Sequence, residues 1–329
     1  MIQAFLYKAK KQHWLFFFLN VLLLFVIVFA IDQVSGKILK HYYFKQQSGL
    51  QYRTTYSLEK TTAPLLVFGS SKANYHYIPE PFEKELGMEY YNVGRDGCHI
   101  FYHYALLKSV LKRYTPKVII LDFTFSDIQQ NEESYERLSC LLPYYSTHPE
   151  IRPEVELKSS MEKIKLLSAV YPFNSAAFTI FKGNTSGRED AELKAKGFVP
   201  LLRTWNKPLA APSDTTGINF TDTLKVKYLE FFINDCKAAG IKLFISFSPM
   251  YLKYQQSPPP IETAKKIAAA HNIGFYNFLT DTSFTNNPEL FSDQSHLNDR
   301  GAKVYSEKFV AIIKPQLLAD LAGGNTANK

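Results

Sequence analysis

The apolar run from Trp14 to Ile31 constrains this chain most, because such a segment is stable only in a bilayer or a deep core. It is about 18 residues long and is interrupted only by Asn20, which places it at the lower end of the length that spans a bilayer. Three lysines and a histidine lie just before it, within residues 8–13, and basic residues on that side keep the amino terminus in the cytoplasm. No small-residue cleavage site follows the run. We therefore predict that residues 1–35 form a cytoplasmic stub and an uncleaved transmembrane signal anchor.

Composition and charge indicate what kind of domain follows the predicted anchor. Hydrophobic residues make up 46% of the 329 residues, which supports a sizeable core and excludes a wholly disordered chain. The net charge is +8, but the basic residues are scattered, which favours a solvated basic surface over a nucleic-acid groove. We predict a single-pass membrane protein whose main domain is periplasmic or extracellular. Residues 36–63 are predicted to be a juxtamembrane connector, 64–320 the domain, and 321–329 a disordered tail.

A short apolar run, Leu65 to Phe68, ends abruptly at Gly69, Ser70 and Ser71. Continuous apolar runs bounded by turn residues are typical of strands that are buried in a parallel sheet. Ligands bind at the carboxyl ends of such strands, so the two serines lie where active-site residues are usually found. Gly-Ser-Ser is equally an ordinary strand-to-helix turn with a serine N-cap.

The alternation of strand, loop and helix continues along the chain. Four further apolar runs are predicted as strands, at residues 89–93, 117–121, 241–247 and 275–278. Short buried strands that alternate with helical patterns indicate parallel βαβ units. The predicted fold is therefore α/β, a doubly wound, flavodoxin-like three-layer sandwich with a five-stranded parallel sheet. The last helix is predicted from about Asp299 to residue 319.

Residues 130–220 interrupt this alternation. The segment is rich in proline and contains an amphipathic stretch at 154–170 and a polar, glycine-containing stretch at 182–187. Long insertions in such folds usually serve the binding face. We therefore predict that it forms a helical and loop cap that sets the choice of substrate.

Cysteine and histidine spacing gives little support to a disulfide framework or a metal site. Cys98, Cys140 and Cys236 form no Cys-x-x-Cys pair, and their odd number excludes a complete framework, although one bridge among them remains open. His99 and His103 lie four residues apart, and such a pair alone is more often incidental than a metal site. We expect neither a metal nor another cofactor.

The segment from Asp293 to His296 lies just before the last predicted helix. When the chain turns once, residues three apart are neighbours, so the Asp293 carboxylate can reach a ring nitrogen of His296. This arrangement orients a general-base histidine and leaves its other nitrogen free to take a hydroxyl proton. Asp293 also suits a turn, and both interpretations can hold together.

Three blocks of this sequence resemble those of the SGNH/GDSL hydrolases. Gly69 to Ser71 is similar to the family's Gly-Asp-Ser block, and Asn92 to Gly97 to its Asn-x-Gly-x-x-Gly block. Asp293 to His296 is similar to its Asp-x-x-His block. The blocks occur in the family's order at corresponding strand ends, and the resemblance covers residues 64 to about 315.

The resemblance implies a catalytic role for each matching position. Ser71 would be the nucleophile, with Ser70, which stands where the family has aspartate, as the alternative nucleophile. His296 would be the general base, oriented by Asp293. The backbone N–H groups of Ser71 and Gly97 would hold the oxyanion, because a residue without a side chain lets the backbone approach closely.

One block departs from the family's pattern. The family's Gly-x-Asn-Asp block supplies an asparagine to the oxyanion hole, whereas this chain has Ser126 at the matching position. The Ser126 hydroxyl is therefore the expected substitute donor. Asn74, Asn92 and Arg95 lie within or beside the matching blocks and are the expected substrate-binding residues.

Together, the anchor and the resemblance indicate an extracytoplasmic serine esterase or O-acyltransferase that acts on acylated, in particular O-acetylated, envelope polysaccharide. The alternative is a catalytically inactive glycan-binding or assembly partner of a membrane O-acyltransferase, which the absent asparagine favours. The expected partners are an acylated glycan or another acyl ester, the membrane through the amino-terminal helix, and a membrane acyltransferase. No nucleic acid is expected. Tyr75, Tyr77, Tyr102 and Tyr104 are candidates either for stacking on sugar rings or for core packing.

Overall fold

Five short strands form one parallel sheet in a computed structural model that describes residues 2–185, 189–207, 220–252 and 257–324. The strands are β1 (Leu65–Gly69), β2 (Tyr90–Asn92), β3 (Val118–Asp122), β4 (Lys242–Phe247) and β5 (Gly274–Asn277). They are arranged in the order β2-β1-β3-β4-β5. The α/β class and the five-stranded parallel sheet are confirmed, and no strand end differs from its predicted position by more than one residue.

Helices surround the sheet. The longer helices are α1 (Ile2–Lys45), α2 (Gly49–Glu59), α3 (Ser71–His76), α4 (Pro79–Leu86), α5 (Ile100–Leu111), α11 (Thr223–Ala238), α12 (Pro259–Ala270) and α14 (Asp299–Gly324). The shorter α-helices are α6 (Glu133–Glu136), α7 (Arg152–Glu156), α8 (Glu162–Lys165), α9 (Ala177–Thr185), α10 (Glu189–Ala195) and α13 (Thr282–Thr285). Short 3₁₀-helices lie at Phe125–Asp127, Arg137–Tyr144, Pro149–Ile151, Tyr171–Ala176 and Pro288–Leu290.

The strands are apolar throughout because both faces of the sheet are covered. In β1, Leu65 and Val67 pack on one face with α3, α4 and α14. Leu66 and Phe68 pack on the other face with α5, α11 and α12. Successive side chains of a strand point to opposite faces, so a doubly covered strand reads as a continuous apolar run rather than an alternating one.

Helix α1 is one uninterrupted helix of 44 residues. The apolar side chains from Trp14 to Ile31 are exposed, and the helix is long and apolar enough to cross a membrane. The predicted boundary at residue 35 does not appear as a break, because α1 continues to Lys45. The predicted connector therefore consists of the end of α1 and of α2, and its Tyr43 and Tyr52 are buried against the domain.

The two ends of the 130–220 segment lie side by side. Gln129 pairs with Thr221 in an antiparallel bridge, and the Gln130 N–H donates to the Phe220 carbonyl at 2.8 Å. Its helices α6 to α9 and the 3₁₀-helices among them pack mainly on α1, α2 and α5. The segment after α10 runs instead beside β2 and the loop that carries His296. The Asn92 N–H donates to the Lys196 carbonyl at 2.9 Å, and the Trp205 N–H donates to the Phe291 carbonyl at 2.7 Å. Residues 186–188 and 208–219 of the predicted cap lie outside the described residues.

The carboxyl-terminal helix is longer than predicted. Helix α14 continues to Gly324, so the first residues of the predicted disordered tail are helical, and residues 325–329 lie outside the described residues. Ile313 and Leu317 remain buried near the end of the helix. Their packing in the core stabilises the carboxyl-terminal part of the helix.

Candidate active site

Gly69 makes the sharp turn that brings the two serines to the carboxyl edge of the sheet. Its φ is 147°, and a Cβ atom there would lie 2.8 Å from both the Ala73 Cβ and the Asp122 backbone oxygen. Only glycine satisfies both the backbone conformation and the available space. Ser70 then caps α3 and Ser71 is its first residue.

We expect Gly69→Ala to lower the free energy of unfolding by about 3 kcal/mol or more, because backbone strain adds to a clash with the backbone of β3. Gly87→Ala is the matched control, since Gly87 also has a positive φ but has nothing within 4 Å of the position that an added methyl group would occupy. That change should cost only about 1 kcal/mol. Unfolding of the full chain in detergent micelles measures both values. Equal losses in the two variants would contradict the assigned role of close packing at Gly69.

Three side chains form a hydrogen-bonded chain at this edge. The Ser71 Oγ lies 2.8 Å from the His296 Nε2, and the His296 Nδ1 lies 2.9 and 3.0 Å from the two Asp293 carboxylate oxygens. The Asp293 Oδ1 also accepts the backbone N–H groups of Ser295 at 2.8 Å and His296 at 3.0 Å. The predicted contact between Asp293 and His296 is therefore present, and Ser71 rather than Ser70 meets the imidazole.

The electrostatics of Asp293 favour one tautomer of His296. Burial by itself would raise the pKa of Asp293, but hydrogen bonds from the His296 ring and from the backbone N–H groups keep that pKa below its usual value. Asp293 is therefore a carboxylate at neutral pH and accepts the Nδ1–H of His296. The Nε2 lone pair then faces the Ser71 hydroxyl, as a general base requires.

A cavity of about 220 Å³ opens beside the Ser71–His296 pair. Its walls include Ser71, His99, Ser126, Met250 and His296. The cavity lies where the strand order reverses between β1 and β3, which is the usual ligand position in open α/β sheets. Among the described residues of the insertion, none lines this cavity, so the predicted placement of the cap over the site is not seen in the part of the chain that the structure describes.

A second buried relay supports the loop that carries His296. Burial lowers the pKa of His76 well below its ordinary value, so its ring is neutral. The His76 Nε2 accepts the Leu297 N–H at 2.9 Å, which leaves the proton on Nδ1 to donate to the Ser248 Oγ at 2.9 Å. Ser248 in turn donates to the Asp122 carboxylate at 2.7 Å. This relay ties the residue after His296 to the end of β3, and no sequence motif indicated it.

Tyr75 contacts the His296 ring from the other side. Its ring meets the His296 ring edge to face at 5.2 Å between centroids, and its hydroxyl donates to Asp96. Of the other candidate stacking tyrosines, Tyr77 and Tyr102 are buried in the core, and the Tyr104 hydroxyl donates to Asp235 at 2.9 Å. Of these four candidates, Tyr75 is therefore the one beside the triad.

The two predicted substrate-binding asparagines hold the loop after β2 instead of lining the cavity. Both are buried. Asn92 donates to the Ala73 carbonyl at 2.7 Å and accepts the Gly94 N–H at 2.9 Å, while the Asn74 side chain donates to Asp96. Their side chains fix the loop to α3, which is a structural role.

Arg95 and Gly97 are likewise directed away from the cavity. Arg95 is buried and donates to the Leu50 carbonyl at 3.2 Å, which ties the loop to α2. Gly97 lies against Arg137, since a Cβ there would be 2.9 Å from the Arg137 Nε. The structure thus brings together Ser71, Ser126 and His296 at the cavity but does not place Gly97 on its wall.

His99 is a cavity residue to which the sequence assigned no catalytic role. Its Nδ1 is buried and has no hydrogen-bond partner among the described residues, and burial lowers the pKa of His99 to about 4. The ring is therefore neutral at physiological pH. His103, its predicted companion, has its Nε2 3.4 Å from the Asp127 Oδ1 instead. In the described ranges no group of three or more His, Cys, Asp or Glu side chains could hold a metal ion.

Two of the three cysteines lie close together in the fold. The Cys98 and Cys140 sulfur atoms lie 3.7 Å apart as free thiols, whereas Cys236 is buried in α11. Of the pairings that the sequence left open, this one therefore has its sulfur atoms already in contact.

Comparison with known proteins assigns no family to this arrangement. No protein-family model matches the chain, and no curated protein matches it significantly.

Proposed function

We propose that this chain is a membrane-anchored serine esterase or O-acyltransferase of the SGNH/GDSL type, with the flavodoxin-like sheet of that family. The hydrogen-bonded chain of Ser71, His296 and Asp293 carries this proposal. Ser71 and His296 are 225 residues apart in sequence, yet they meet at the carboxyl edge of the sheet beside a cavity. A hydroxyl, an imidazole and a carboxylate in this order are the parts of an activated serine nucleophile.

The reaction begins when the Ser71 Oγ attacks the carbonyl carbon of an acyl ester and its proton passes to the His296 Nε2. Asp293 stabilises the resulting imidazolium through Nδ1–H. The imidazolium then protonates the leaving alcohol, and an acyl-enzyme remains on Ser71. Water or a sugar hydroxyl next attacks the acyl-enzyme while the His296 Nε2 takes its proton. The bond between the Ser71 Oγ and the acyl carbon then breaks, and the imidazolium returns its proton to the Ser71 Oγ. The product is a free acid in the first case and a new ester in the second.

His99 and Ser126 are the two cavity side chains that can donate a hydrogen bond to the oxyanion. The neutral His99 ring has one N–H donor and is half-buried at the cavity wall, where water is partly excluded and such a bond is strengthened. Ser126 occupies the position of the missing asparagine, and its hydroxyl is also a donor. Together they supply a chemical substitute for the absent amide, in addition to the backbone N–H of Ser71.

We expect His99→Ala to lower kcat for ester turnover by roughly 10²-fold or more, the usual effect of losing one oxyanion donor. His99→Gln keeps an N–H donor and should recover part of that loss, whereas a purely structural role would not distinguish the two variants. Steady-state kinetics of the full chain in detergent give kcat and KM separately. A change confined to KM would assign His99 to substrate binding instead.

The size of the cavity and the anchor suggest the substrate class. A volume of about 220 Å³ is below the usual range for drug-sized ligands and suits a short acyl group such as acetyl. With the amino terminus of α1 in the cytoplasm, the domain would face the periplasm or the cell exterior, where an envelope polysaccharide is within reach of a membrane-anchored site. The proposed substrate is therefore an O-acetylated envelope glycan.

Covalent labelling of the full chain in detergent micelles with a fluorophosphonate probe tests the proposal. We expect one label per chain, and peptide mass spectrometry should place it on Ser71. An unlabelled but folded protein would overturn the catalytic assignment and favour the alternative, a non-catalytic glycan-binding partner of a membrane acyltransferase, which the absent asparagine also supports.

A further inference from the structure

The domain is fixed to α1 immediately beyond the apolar run. Asp32 is the first charged residue after Ile31, and its carboxylate accepts the Ser168 hydroxyl at 2.5 Å and the Ala169 N–H at 2.7 Å. One turn later, a Cβ atom on Gly36 would lie 2.4 Å from the Ala169 Cβ. The segment around Ala169 therefore packs directly on the backbone of α1, with no room for a side chain between them.

The segment that precedes this contact exposes apolar side chains at regular spacing. Met161, Ile164 and Leu167 are 50%, 58% and 73% exposed and lie three residues apart around α8. Residues at this spacing share one side of a helix. An apolar row of this kind, beside the end of a long apolar helix, is suited to a membrane surface rather than to water.

A cavity of about 500 Å³ lies between α1 and residues 142–173. Four basic residues line it, Lys37 and Lys40 from α1 together with Arg152 and Lys163, and among the lining residues that the structure describes none is acidic. Lys163 forms an ion pair with Glu156 at 3.1 Å, and the Arg152 Nε donates to the Tyr145 carbonyl at 3.0 Å. The basic charge offered to a ligand therefore comes mainly from Lys37 and Lys40. Its wall also contains Leu142, Leu166 and Phe173. The cavity therefore combines a positive charge with an apolar wall, which matches a phosphate that carries acyl chains.

We infer that this cavity binds the phosphate headgroup of an anionic phospholipid from the bilayer that α1 enters, with the apolar wall against the lipid's acyl chains. The inference uses α1 as a membrane helix but none of the proposed catalytic residues. The row of Met161, Ile164 and Leu167 then rests on the same membrane surface. Lipid binding at this position holds the domain in one orientation above the bilayer.

The distance along α1 between the apolar run and the cavity is consistent with a bound lipid headgroup. At about 1.5 Å per residue, Lys37 and Lys40 lie roughly 8 and 12 Å beyond Asp32 along α1. The polar layer on each side of a bilayer is about 5–8 Å thick, and lysine stems reach several ångströms along an apolar surface. Both ammonium groups can therefore reach lipid phosphates without any change in α1.

Native mass spectrometry of the full chain in neutral detergent tests the inference, with phosphatidylglycerol and phosphatidylcholine of identical acyl chains as probes. We expect wild type to retain one phosphatidylglycerol in clear preference to phosphatidylcholine. Lys37→Gln/Lys40→Gln should weaken phosphatidylglycerol binding by roughly 30-fold, because each cation near an anionic lipid surface contributes about fivefold. Lys265→Gln/Lys266→Gln, a pair of exposed lysines on α12, is the matched control and should bind as wild type does.

Two results would overturn the inference: equal retention of the two lipids by wild type, or unchanged phosphatidylglycerol binding in Lys37→Gln/Lys40→Gln. Leu166→Asn offers an independent variant of the apolar wall, and it should weaken the binding of this lipid at unchanged net charge. Fluorophosphonate labelling of each variant reports separately on Ser71. A failure of lipid binding and a failure of the proposed catalysis are therefore distinguishable.

Discussion

Replacing Ser71 by alanine is expected to lower kcat for acyl-ester turnover by about 10⁴-fold or more, since loss of a triad nucleophile leaves only the contribution of the oxyanion donors and of substrate binding. The Oγ at 2.8 Å from the His296 Nε2 is the only part of Ser71 that the change removes. The backbone N–H stays in place, so substrate binding should be retained and KM should change little. Release of acetate from an O-acetylated glycan, or hydrolysis of an aryl acetate, measures the loss.

Ser70→Ala is the matched control for this result. Ser70 is the neighbouring serine, is buried, and makes no side-chain capping bond to α3. Its replacement should change kcat by less than about tenfold, because the Ser71–His296 contact does not depend on it. If Ser70→Ala were the inactive variant and Ser71→Ala the active one, the nucleophile would be Ser70 and the geometry at the cavity would have to change on substrate binding.

Asp293→Asn should reduce kcat by about 10⁴-fold, the effect of this change in a serine triad. An amide at this position can donate its NH₂ group to the His296 Nδ1, and that hydrogen bond favours the tautomer with a proton on Nε2. Nε2 would then no longer accept the proton of Ser71. The same variant should lose most of its rate of fluorophosphonate labelling, because labelling requires the same proton transfer.

Asp299→Asn provides the comparison for the second result. Asp299 also lies three residues from His296, on the other side, and is exposed at the start of α14. We expect nearly wild-type kinetics from this variant, since the two hydrogen bonds that orient the imidazole come from Asp293. Similar losses in both variants would indicate a general effect of charge near His296 and would contradict the orienting role of Asp293.

Residues close together in sequence were predicted well. The five strands follow from apolar runs that end at turn residues, and they lie within one residue of their predicted ends because burial on both faces leaves a local pattern. The contact between Asp293 and His296 is also local, since one turn of chain brings them together. The long apolar helix was also predicted, because its apolar run is continuous in sequence. Its continuation through Lys45 was not predicted, and that part of the helix contacts the insertion.

The packing of the loops and the direction of their side chains were not predicted from the sequence. Asn74, Asn92 and Arg95 fall in or beside a matching motif, yet their buried side chains hold loops together. The insertion was expected to form a cap over the sheet, whereas none of its described residues lines the cavity. Its helices α6 to α9 pack mainly on α1, α2 and α5, and residues 196–205 run beside the loop that carries His296. Motif position identifies a loop but not the direction of each side chain in it, because that direction depends on the neighbouring elements.

Local sequence patterns were enough to predict the strands, the apolar helix and the acid–histidine pair, because each depends on residues within one or two turns of chain. Three contacts became visible only in the folded chain: Ser71 meets His296, His99 lines the same cavity, and His76 accepts the N–H of the residue after His296. Each of these contacts joins residues from separate elements, and the order of the strands in the sheet brings those elements together. Burial and desolvation at their meeting point then set the protonation of His76 and His99, which no local pattern of residues encodes.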